Sequence, residues 1–149
     1  MAISFVQGDL LASGAHALVN PVNCHGVMGK GLALTFKNVF PDYFSYYREL
    51  CSDGCLRPGR VNVFVSNDKP LIVSFPTKNH WKDNSILEWI DKGLMSLADA
   101  IHSLGIKSIA IPMLGCGNGN LNWDEVRPLI VNRLSHLTDC NVLVYGPMI

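Results

Sequence analysis

The chain has 149 residues, of which 48% are apolar and 16% are charged, and its formal net charge is zero. This length and composition predict one ordinary folded domain with a substantial core and exclude a disordered chain. A net charge of zero also excludes a global field that would attract the whole protein to nucleic acid or to a membrane, although a local basic patch is compatible with it.

Targeting and metal-binding signals are missing from the sequence. No apolar run reaches the roughly 20 residues that cross a bilayer, and the N-terminus lacks the basic and apolar segments of a signal peptide. The five cysteines are odd in number and their spacings match no zinc site. We therefore expect a cytoplasmic protein with reduced thiols, no metal and no membrane partner.

Apolar strand patterns and helical patterns alternate along the first half of the chain. Strands are predicted at 3–7, 16–23, 59–66 and 70–76, and the turn "NDKP" joins the last two. Pro21 is expected to stop the second strand. Helices are predicted at 32–40 and 41–52, the second with Pro41 in the favoured first turn.

The second half continues the alternation. The longest helix is predicted at 84–105, where apolar residues recur at spacings of three and four, with Asp83 or Asn84 as its N-cap and Gly105 at its end. A strand at 107–114, a helix at 124–137 and a strand at 141–146 follow.

The strands are apolar throughout, which is typical of a sheet covered by helices on both faces. The chain is thus predicted to be an α/β protein. If its sheet is mostly parallel, the loops that follow the strands converge on one edge, where such folds bind ligands. These loops are 8–10, 20–31, 76–82, 114–120 and 146–148.

Two of these loops are rich in glycine. "NCHGVMGKG" and "GCGNG" each follow an apolar strand and each precede a helix. Backbone N–H groups in such loops can approach a phosphate closely, so two of them suggest the two walls of a diphosphate site. The alternative for each is a turn that needs positive φ. Cys116 in the second loop could be a nucleophile, but a small residue in a tight turn is favoured.

Polar and aromatic residues at other strand ends have two interpretations each. Asp9 is either an acceptor for an exocyclic amine or a turn or cap residue. Asn20 and Asn23 either orient a sugar hydroxyl or form Asx turns. Tyr145, with Pro147, either stacks on a ring or packs at the edge of the core.

Lys78 follows "FPT" at the end of the fourth strand, with Trp81 close enough in sequence to shield it from water. A desolvated lysine can lose its proton and attack an electrophilic sugar carbon. The alternative is a solvated surface charge. His25 and His80 are either proton carriers or structural donors.

The segments "VQGDLL", "ALVNPVNCHGVMGKGLALTFK", "IPMLGCGNGNLNWDEVRPLI" and "VLVYGP" together resemble the macrodomain family of ADP-ribose-binding modules. The resemblance covers the whole chain, 1–149, as a single macrodomain. It implies a three-layer α/β/α sandwich with a central mixed, mostly parallel six-stranded sheet. It also implies ADP-ribose as a ligand or product, with no cofactor.

Within the family, "FPTKNHW" is similar to the DarG antitoxin macrodomains and, more distantly, to the human terminal ADP-ribose protein glycohydrolase. The DarG branch removes ADP-ribose that a DarT toxin attaches to thymine in single-stranded DNA, and the lysine of its FPTK motif is catalytic. The resemblance therefore implies that Lys78 is catalytic. It places ADP-ribose against Gly8, Asp9, Leu10, Asn20, Asn23, Val27, Met28, Gly29, Gly31, Thr77, Leu114, Gly115, Cys116, Gly117, Asn118, Gly119 and Tyr145.

The partners implied are ADP-ribosylated single-stranded DNA and a DarT-like toxin. The candidates for contact with DNA are Lys30, His80 and Trp81, with Lys37, Lys69 and Lys82 as further cations. The human glycohydrolase has an aspartate at the position of Gly119, whereas DarG-like members carry glycine there, as this chain does. The missing aspartate disfavours hydrolysis of protein-linked ADP-ribose. An ADP-ribose reader and an ADP-ribose 1″-phosphate phosphatase remain alternatives.

DarG proteins usually carry a further domain that binds the toxin, whereas this chain ends at Ile149. It is expected to be either one domain of such a protein or a standalone relative, of bacterial or phage origin.

Overall fold

A computed structural model of the protein describes residues 2–67 and 69–146. The described residues form six β-strands, four α-helices and one turn of 3-10 helix at Leu10–Ala12. The strands are β1 (Ala2–Val6), β2 (Ala17–Val22), β3 (Asn62–Phe64), β4 (Leu71–Pro76), β5 (Ser108–Ile111) and β6 (Asn141–Tyr145). The α-helices are α1 (Gly31–Val39), α2 (Pro41–Ser52), α3 (Leu87–Leu104) and α4 (Trp123–Leu134).

The strands form one sheet in the order β1-β6-β5-β2-β4-β3. Every neighbouring pair is parallel except β3 and β4, which are antiparallel. The mixed, mostly parallel sheet of the sequence-based prediction is therefore confirmed. The parallel strands end at the same edge of the sheet, which we call the carboxyl edge.

Helices cover both faces of the sheet, as a three-layer α/β/α sandwich requires. On one face α3 and α4 pack on the sheet through buried residues such as Ile90, Leu94 and Ile130. On the other face α1 and α2 contribute Phe36, Tyr43 and Tyr47. Both faces of the central strands are buried, which explains why those strands read as continuous apolar runs.

Several predicted boundaries agree with the structure. The helix that opens at Pro41 has the predicted bounds, and α3 ends at Gly105, which adopts the left-handed conformation with φ 61°. Its N-terminus differs from the prediction, because neither Asp83 nor Asn84 caps it. Asp83 instead accepts a hydrogen bond from the backbone N–H of His80, and Asn84 accepts one from the side chain of Asn120.

The prediction that Pro21 stops β2 is wrong. The strand continues through Pro21 to Val22, in register with Phe75 and Pro76 of β4. Pairing of β2 with β5 covers only Ala17 and Leu18, so the missing N–H of Pro21 interrupts no ladder on that side. The predicted strand 59–66 is shorter in the structure, at Asn62–Phe64.

None of the described helices is long and apolar enough to span a membrane.

We predict that Gly93→Ala destabilises the protein. A Cβ added at Gly93 in α3 would lie 2.7 Å from Cε1 of Phe75, which is buried on β4. This overlap should lower the free energy of unfolding by about 1–3 kcal/mol, despite a gain in helix propensity of about 1 kcal/mol. Urea denaturation followed by circular dichroism measures the change. Ser103→Ala, at an exposed position of the same helix, is the control and should stay within about 0.5 kcal/mol.

Candidate active site

Three loops meet at the carboxyl edge, beyond the ends of β2, β4 and β5. The backbone N–H of Cys24 donates to the carbonyl of Asn79 at 2.8 Å, which joins the first loop to the second. The backbone N–H of Ser85 donates to the carbonyl of Gly119 at 3.0 Å, which joins the second to the third. Gly31 faces the side chain of Asn118, because a Cβ added there would lie 3.9 Å from its Nδ2. The two glycine loops are thus neighbours, as predicted.

The side chain of Asn23 fixes the first glycine loop. Its Oδ1 accepts from the backbone N–H of His25 at 2.9 Å, and its Nδ2 donates to the carbonyl of Val27 at 2.7 Å. The hydroxyl of Tyr47 donates to the same Oδ1 at 2.9 Å. Burial raises the pKa of Tyr47, so the hydroxyl stays protonated and remains a donor. The Asx turn was the alternative interpretation of Asn23, and the structure shows it.

Asn20 lies beneath this loop rather than on its surface. The side chain is fully buried in β2, where its Nδ2 donates to the hydroxyl of Tyr43 at 3.2 Å and contacts the sulfur of Met28 at 3.8 Å. A position inside a strand rules out the Asx turn for Asn20. In the structure Asn20 supports the first glycine loop through its contact with Met28. Direct contact of Asn20 with a sugar stays a prediction.

The first loop also carries exposed residues that face solvent. Val27 is 39% exposed and Gly29, Lys30 and Gly31 are exposed, whereas Met28 is buried. Lys30 is the N-cap residue of α1 and makes no side-chain capping bond. The first backbone N–H groups of α1 therefore have no side-chain cap from Lys30, an arrangement that favours an anion at this helix end.

The segment after β1 supplies another wall of the carboxyl edge. Gly8 has φ 126°, and Asp9 caps the 3-10 turn by accepting from the backbone N–H of Leu11 at 3.0 Å. The capping role was the alternative for Asp9, and the structure shows it, with the carboxylate exposed. Leu10 is buried, and Tyr145 packs half-buried against the core on the α1–α2 face. Pro147 and Met148, which the prediction included in the last loop, lie outside the described residues.

The second glycine loop is shaped by close packing. A Cβ added at Gly115, which has φ 73°, would lie 2.7 Å from Cδ1 of Leu121. A Cβ at Gly119 would overlap the hydroxyl of Ser85 and lie 2.5 Å from the carbonyl oxygen of Gly115. Gly117, in contrast, has open space around it. Positions 115 and 119 therefore need glycine for the loop to keep this path.

The thiol of Cys116 is a poor nucleophile in this setting. The side chain is half-buried, and its sulfur lies 3.5 Å from the carbonyl oxygen of Leu114. Burial raises the pKa of Cys116 to about 11, so the thiol is protonated near neutral pH. The structure thus supports the packing interpretation of this cysteine.

Lys78 directly follows β4, next to the first glycine loop, and the Sγ of Cys24 in that loop lies 3.6 Å from its carbonyl oxygen. The preceding residue, Thr77, is buried and donates its backbone N–H to Val22 of β2 at 2.9 Å. The ammonium of Lys78 contacts the carbonyl of Trp81 at 3.4 Å. The pKa of Lys78 is lowered, first by burial and then by the nearby charge of Lys30. Such an amine is easier to deprotonate than an exposed lysine.

A cluster of aromatic rings and one cation lies next to Lys78 in the chain and on the first glycine loop. The rings of His25 and His80 lie 4.7 Å apart, and the ring of Trp81 stacks on His80 at 5.3 Å. The ammonium of Lys82 lies 5.0 Å from the centre of the Trp81 ring. Nδ1 of His80 accepts from the backbone N–H of Lys82 at 3.1 Å, so a neutral His80 carries its proton on Nε2. Trp81 is 46% exposed, and the hydrogen bond that it accepts from Lys78 is through its backbone carbonyl.

Lys69, which was predicted as a further cation for DNA, lies far from this site. It precedes the start of β4, at the opposite end of the sheet from Lys78.

Across residues 2–67 and 69–146, no group of three or more His, Cys, Asp or Glu side chains is arranged to hold a metal ion.

Sequence reasoning missed the side chains that support the site from below. Tyr43 and Tyr47 are fully buried, and Tyr43 bonds Ser74 at 2.6 Å. Burial raises the pKa of Tyr43 to about 12. The spacing of four between the two tyrosines would have indicated one inward helix face. Ser85 had no such signal, because its role depends on a loop that is distant in sequence.

Comparisons with known proteins agree with this arrangement. The Macro domain family model matches residues 19–130. The chain is 43% identical over 148 residues to a DNA ADP-ribosyl glycohydrolase of Mycobacterium tuberculosis, covering 97% of this chain and 42% of that protein. The solved macrodomain of Mycobacterium tuberculosis DarG superposes with a TM-score of 0.95 at 43% identity, covering 99% of both chains. Thermosipho africanus DarTG in complex with ADP-ribose matches at 36% identity and a TM-score of 0.91, covering 98% of this chain and 42% of that one.

We predict that Gly119→Ala disturbs the second glycine loop. The added methyl must displace Ser85 or the peptide of Gly115, and such overpacking typically costs about 1–3 kcal/mol of unfolding free energy. Thermal unfolding of the variant measures the loss. Gly117→Ala is the matched control, since its Cβ meets no atom within 4 Å. Equal stability of the two variants would contradict the packing argument.

We predict that Cys116 and Cys24 react slowly with iodoacetamide at pH 8. Burial raises their pKa values to about 11 and about 12, so little thiolate exists at that pH. Labelling at Cys116 should accelerate about tenfold per pH unit toward pH 10, as the thiolate fraction grows. Peptide mass spectrometry measures the sites, with the exposed Cys55 as the internal reference. Fast labelling of Cys116 at pH 8 would show an activated thiol.

Proposed function

Because this chain belongs to the macrodomain family, we propose that it acts as a DNA ADP-ribosyl glycohydrolase, which removes ADP-ribose from thymine in single-stranded DNA. Its similarity to the DNA ADP-ribosyl glycohydrolase of Mycobacterium tuberculosis supports this choice within the family. The chain spans less than half the length of that relative, so the proposal concerns the macrodomain alone. The observation that carries it is the position of Lys78, half-buried with a lowered pKa at the end of β4 beside the first glycine loop.

ADP-ribose would lie along the carboxyl edge. Its diphosphate would meet backbone N–H groups of the two glycine loops and the N-terminus of α1, which supply partial positive charge without a mobile side chain. The exposed carboxylate of Asp9 would accept from the adenine amine. The distal ribose would then reach the end of β4, where Thr77 and Lys78 lie.

Lys78 has two possible roles in breaking the glycosidic bond. As a neutral amine it would attack the anomeric carbon, the thymine would leave with the bonding electron pair, and water would later hydrolyse the lysine adduct. As an ammonium it would stabilise the negative charge that develops on the departing thymine. Binding of the adenosine and diphosphate would position the anomeric carbon for either step.

The other linkages that macrodomains process are less well supported. The aspartate that the human glycohydrolase carries at the position of Gly119 has no space here, since even a Cβ would overlap Ser85. A pure ADP-ribose reader has no need of a desolvated lysine. The histidines of the phosphatase alternative are engaged with other rings, since His25 contacts His80 at 4.7 Å and His80 stacks on Trp81.

A DarT-like toxin is the partner that the proposal requires, because some enzyme must attach the ADP-ribose. The match to Thermosipho africanus DarTG supports a pairing of this kind. The toxin–antitoxin role and a cytoplasmic location are part of the proposal.

We predict that Lys78→Ala abolishes release of ADP-ribose from a thymine-modified single-stranded oligonucleotide while ADP-ribose still binds. Lys78→Arg separates the two roles, since arginine keeps the charge and cannot act as an amine nucleophile. A covalent role predicts no release by Lys78→Arg. It also predicts a wild-type rate that rises with pH and levels off below the usual lysine pKa, because that pKa is lowered.

The control is Lys69→Ala, which removes a lysine from the opposite end of the sheet and should release ADP-ribose at the wild-type rate. Release is measured by mass spectrometry of the oligonucleotide, and ADP-ribose affinity by calorimetry. Full activity of Lys78→Ala would refute the catalytic assignment, and binding without release by the wild type would refute the proposed reaction.

A further inference from the structure

The net charge of zero conceals a strong segregation of charge along the chain. Residues 17–41 and 71–82 contain no aspartate or glutamate, and they hold Lys30, Lys37, Lys78 and Lys82. The fold joins the two segments at the carboxyl edge, where the backbone N–H of Cys24 donates to the carbonyl of Asn79. One region of the carboxyl edge is therefore basic although the whole protein is neutral.

Within this region, rings and cations form a series that follows Lys78, with the rings of Trp81 and His25 exposed and that of His80 half-buried. Trp81 carries Lys82 at 5.0 Å and stacks on His80, which in turn contacts His25 at 4.7 Å. Asp83 is an acidic residue close to this series. Its Oδ2 accepts a hydrogen bond from the backbone N–H of His80, so part of its negative charge is compensated within the loop.

The series continues from the first glycine loop onto α2. Gly26, next to His25, faces Arg48, because a Cβ added there would lie 3.9 Å from its Cγ. Arg48 and Lys37 both lie over the ring of Phe44, at 5.8 Å and 4.6 Å from its centre. Glu49 follows Arg48 on the helix and so points roughly 100° away from it.

We propose that the single-stranded DNA flanking the modified thymine lies along this series of residues. We call it the ring–cation track, and its members are Lys82, Trp81, His80, His25, Arg48, Phe44 and Lys37. The inference rests on the proposed function and adds the path of the strand. Alternation of at least partly exposed rings with cations suits single strands, because bases stack on rings while cations meet the phosphates. A duplex keeps its bases stacked inside and would use the cations alone.

The helix half of the track, Lys37, Phe44 and Arg48, gives the sharpest test because it is separate from Lys78. The variant is the double substitution Lys37→Gln with Arg48→Gln, which leaves Phe44 and the core in place. The matched control is Arg127→Gln, since Arg127 lies over the ring of Phe5 at 4.1 Å and belongs to α4, on the other face of the sheet. Both variants should bind free ADP-ribose as the wild type does.

The first measurement is fluorescence anisotropy of an unmodified single-stranded oligonucleotide at several salt concentrations. Removing two phosphate contacts should weaken binding roughly tenfold at low salt and reduce the log–log salt slope by about 1.4. The proposal is overturned if the double variant binds as the wild type does, if Arg127→Gln weakens binding equally, or if a duplex depends on Lys37 and Arg48 as strongly as the single strand does.

The second measurement compares release from a modified oligonucleotide with release from ADP-ribosylated thymidine. The double variant should raise KM for the oligonucleotide about tenfold, with kcat and the reaction of the nucleoside unchanged. An equal effect on both substrates would overturn the track. If the wild type releases neither, the proposed reaction fails, and the anisotropy titration still decides whether the track binds DNA.

Discussion

The parallel pairing of β2 with β4 is the constraint on which the site depends. Six residues of each strand are in register, from Ala17 opposite Leu71 to Val22 opposite Pro76. Since both strands end together, Asn23 and Thr77 emerge side by side. A shift of the register by one residue would turn the alternate side chains of β4 to the opposite face of the sheet and separate Lys78 from the first glycine loop.

That pairing is reinforced from the α1–α2 face. The buried tyrosines of α2 reach the sheet and the loop at once: Tyr43 bonds Ser74 of β4, and Tyr47 bonds Asn23 at the end of β2. The first glycine loop is therefore tied to a packed helix through Asn23. Such a loop can present backbone N–H groups in a fixed geometry, which is the arrangement that electrostatic stabilisation requires.

Local signals in the sequence were sufficient where local forces decide the structure. Pro41 and Gly105 mark helix ends because their backbone preferences act within one turn, and the apolar runs predict a covered sheet for the same kind of reason. Distant contacts decided the rest. Asn84 would be a good cap by itself, yet Asn120 bonds it across 36 positions of the chain, and the helix begins later. The candidate ADP-ribose-binding residues were predicted from the order of the motifs, whereas Ser85 beneath Gly119 depends on packing that no local pattern reveals.

The contact between Gly119 and Ser85 also has an evolutionary consequence. A carboxylate at position 119 requires a Cβ, and that atom has no room while Ser85 and the peptide of Gly115 hold their positions. A single substitution at 119 therefore damages the loop before it can add chemistry. A lineage that changes its linkage preference in this way must first alter position 85 and relax the loop. The order of mutations, and not only their identity, limits which substrates descendants of this chain can acquire.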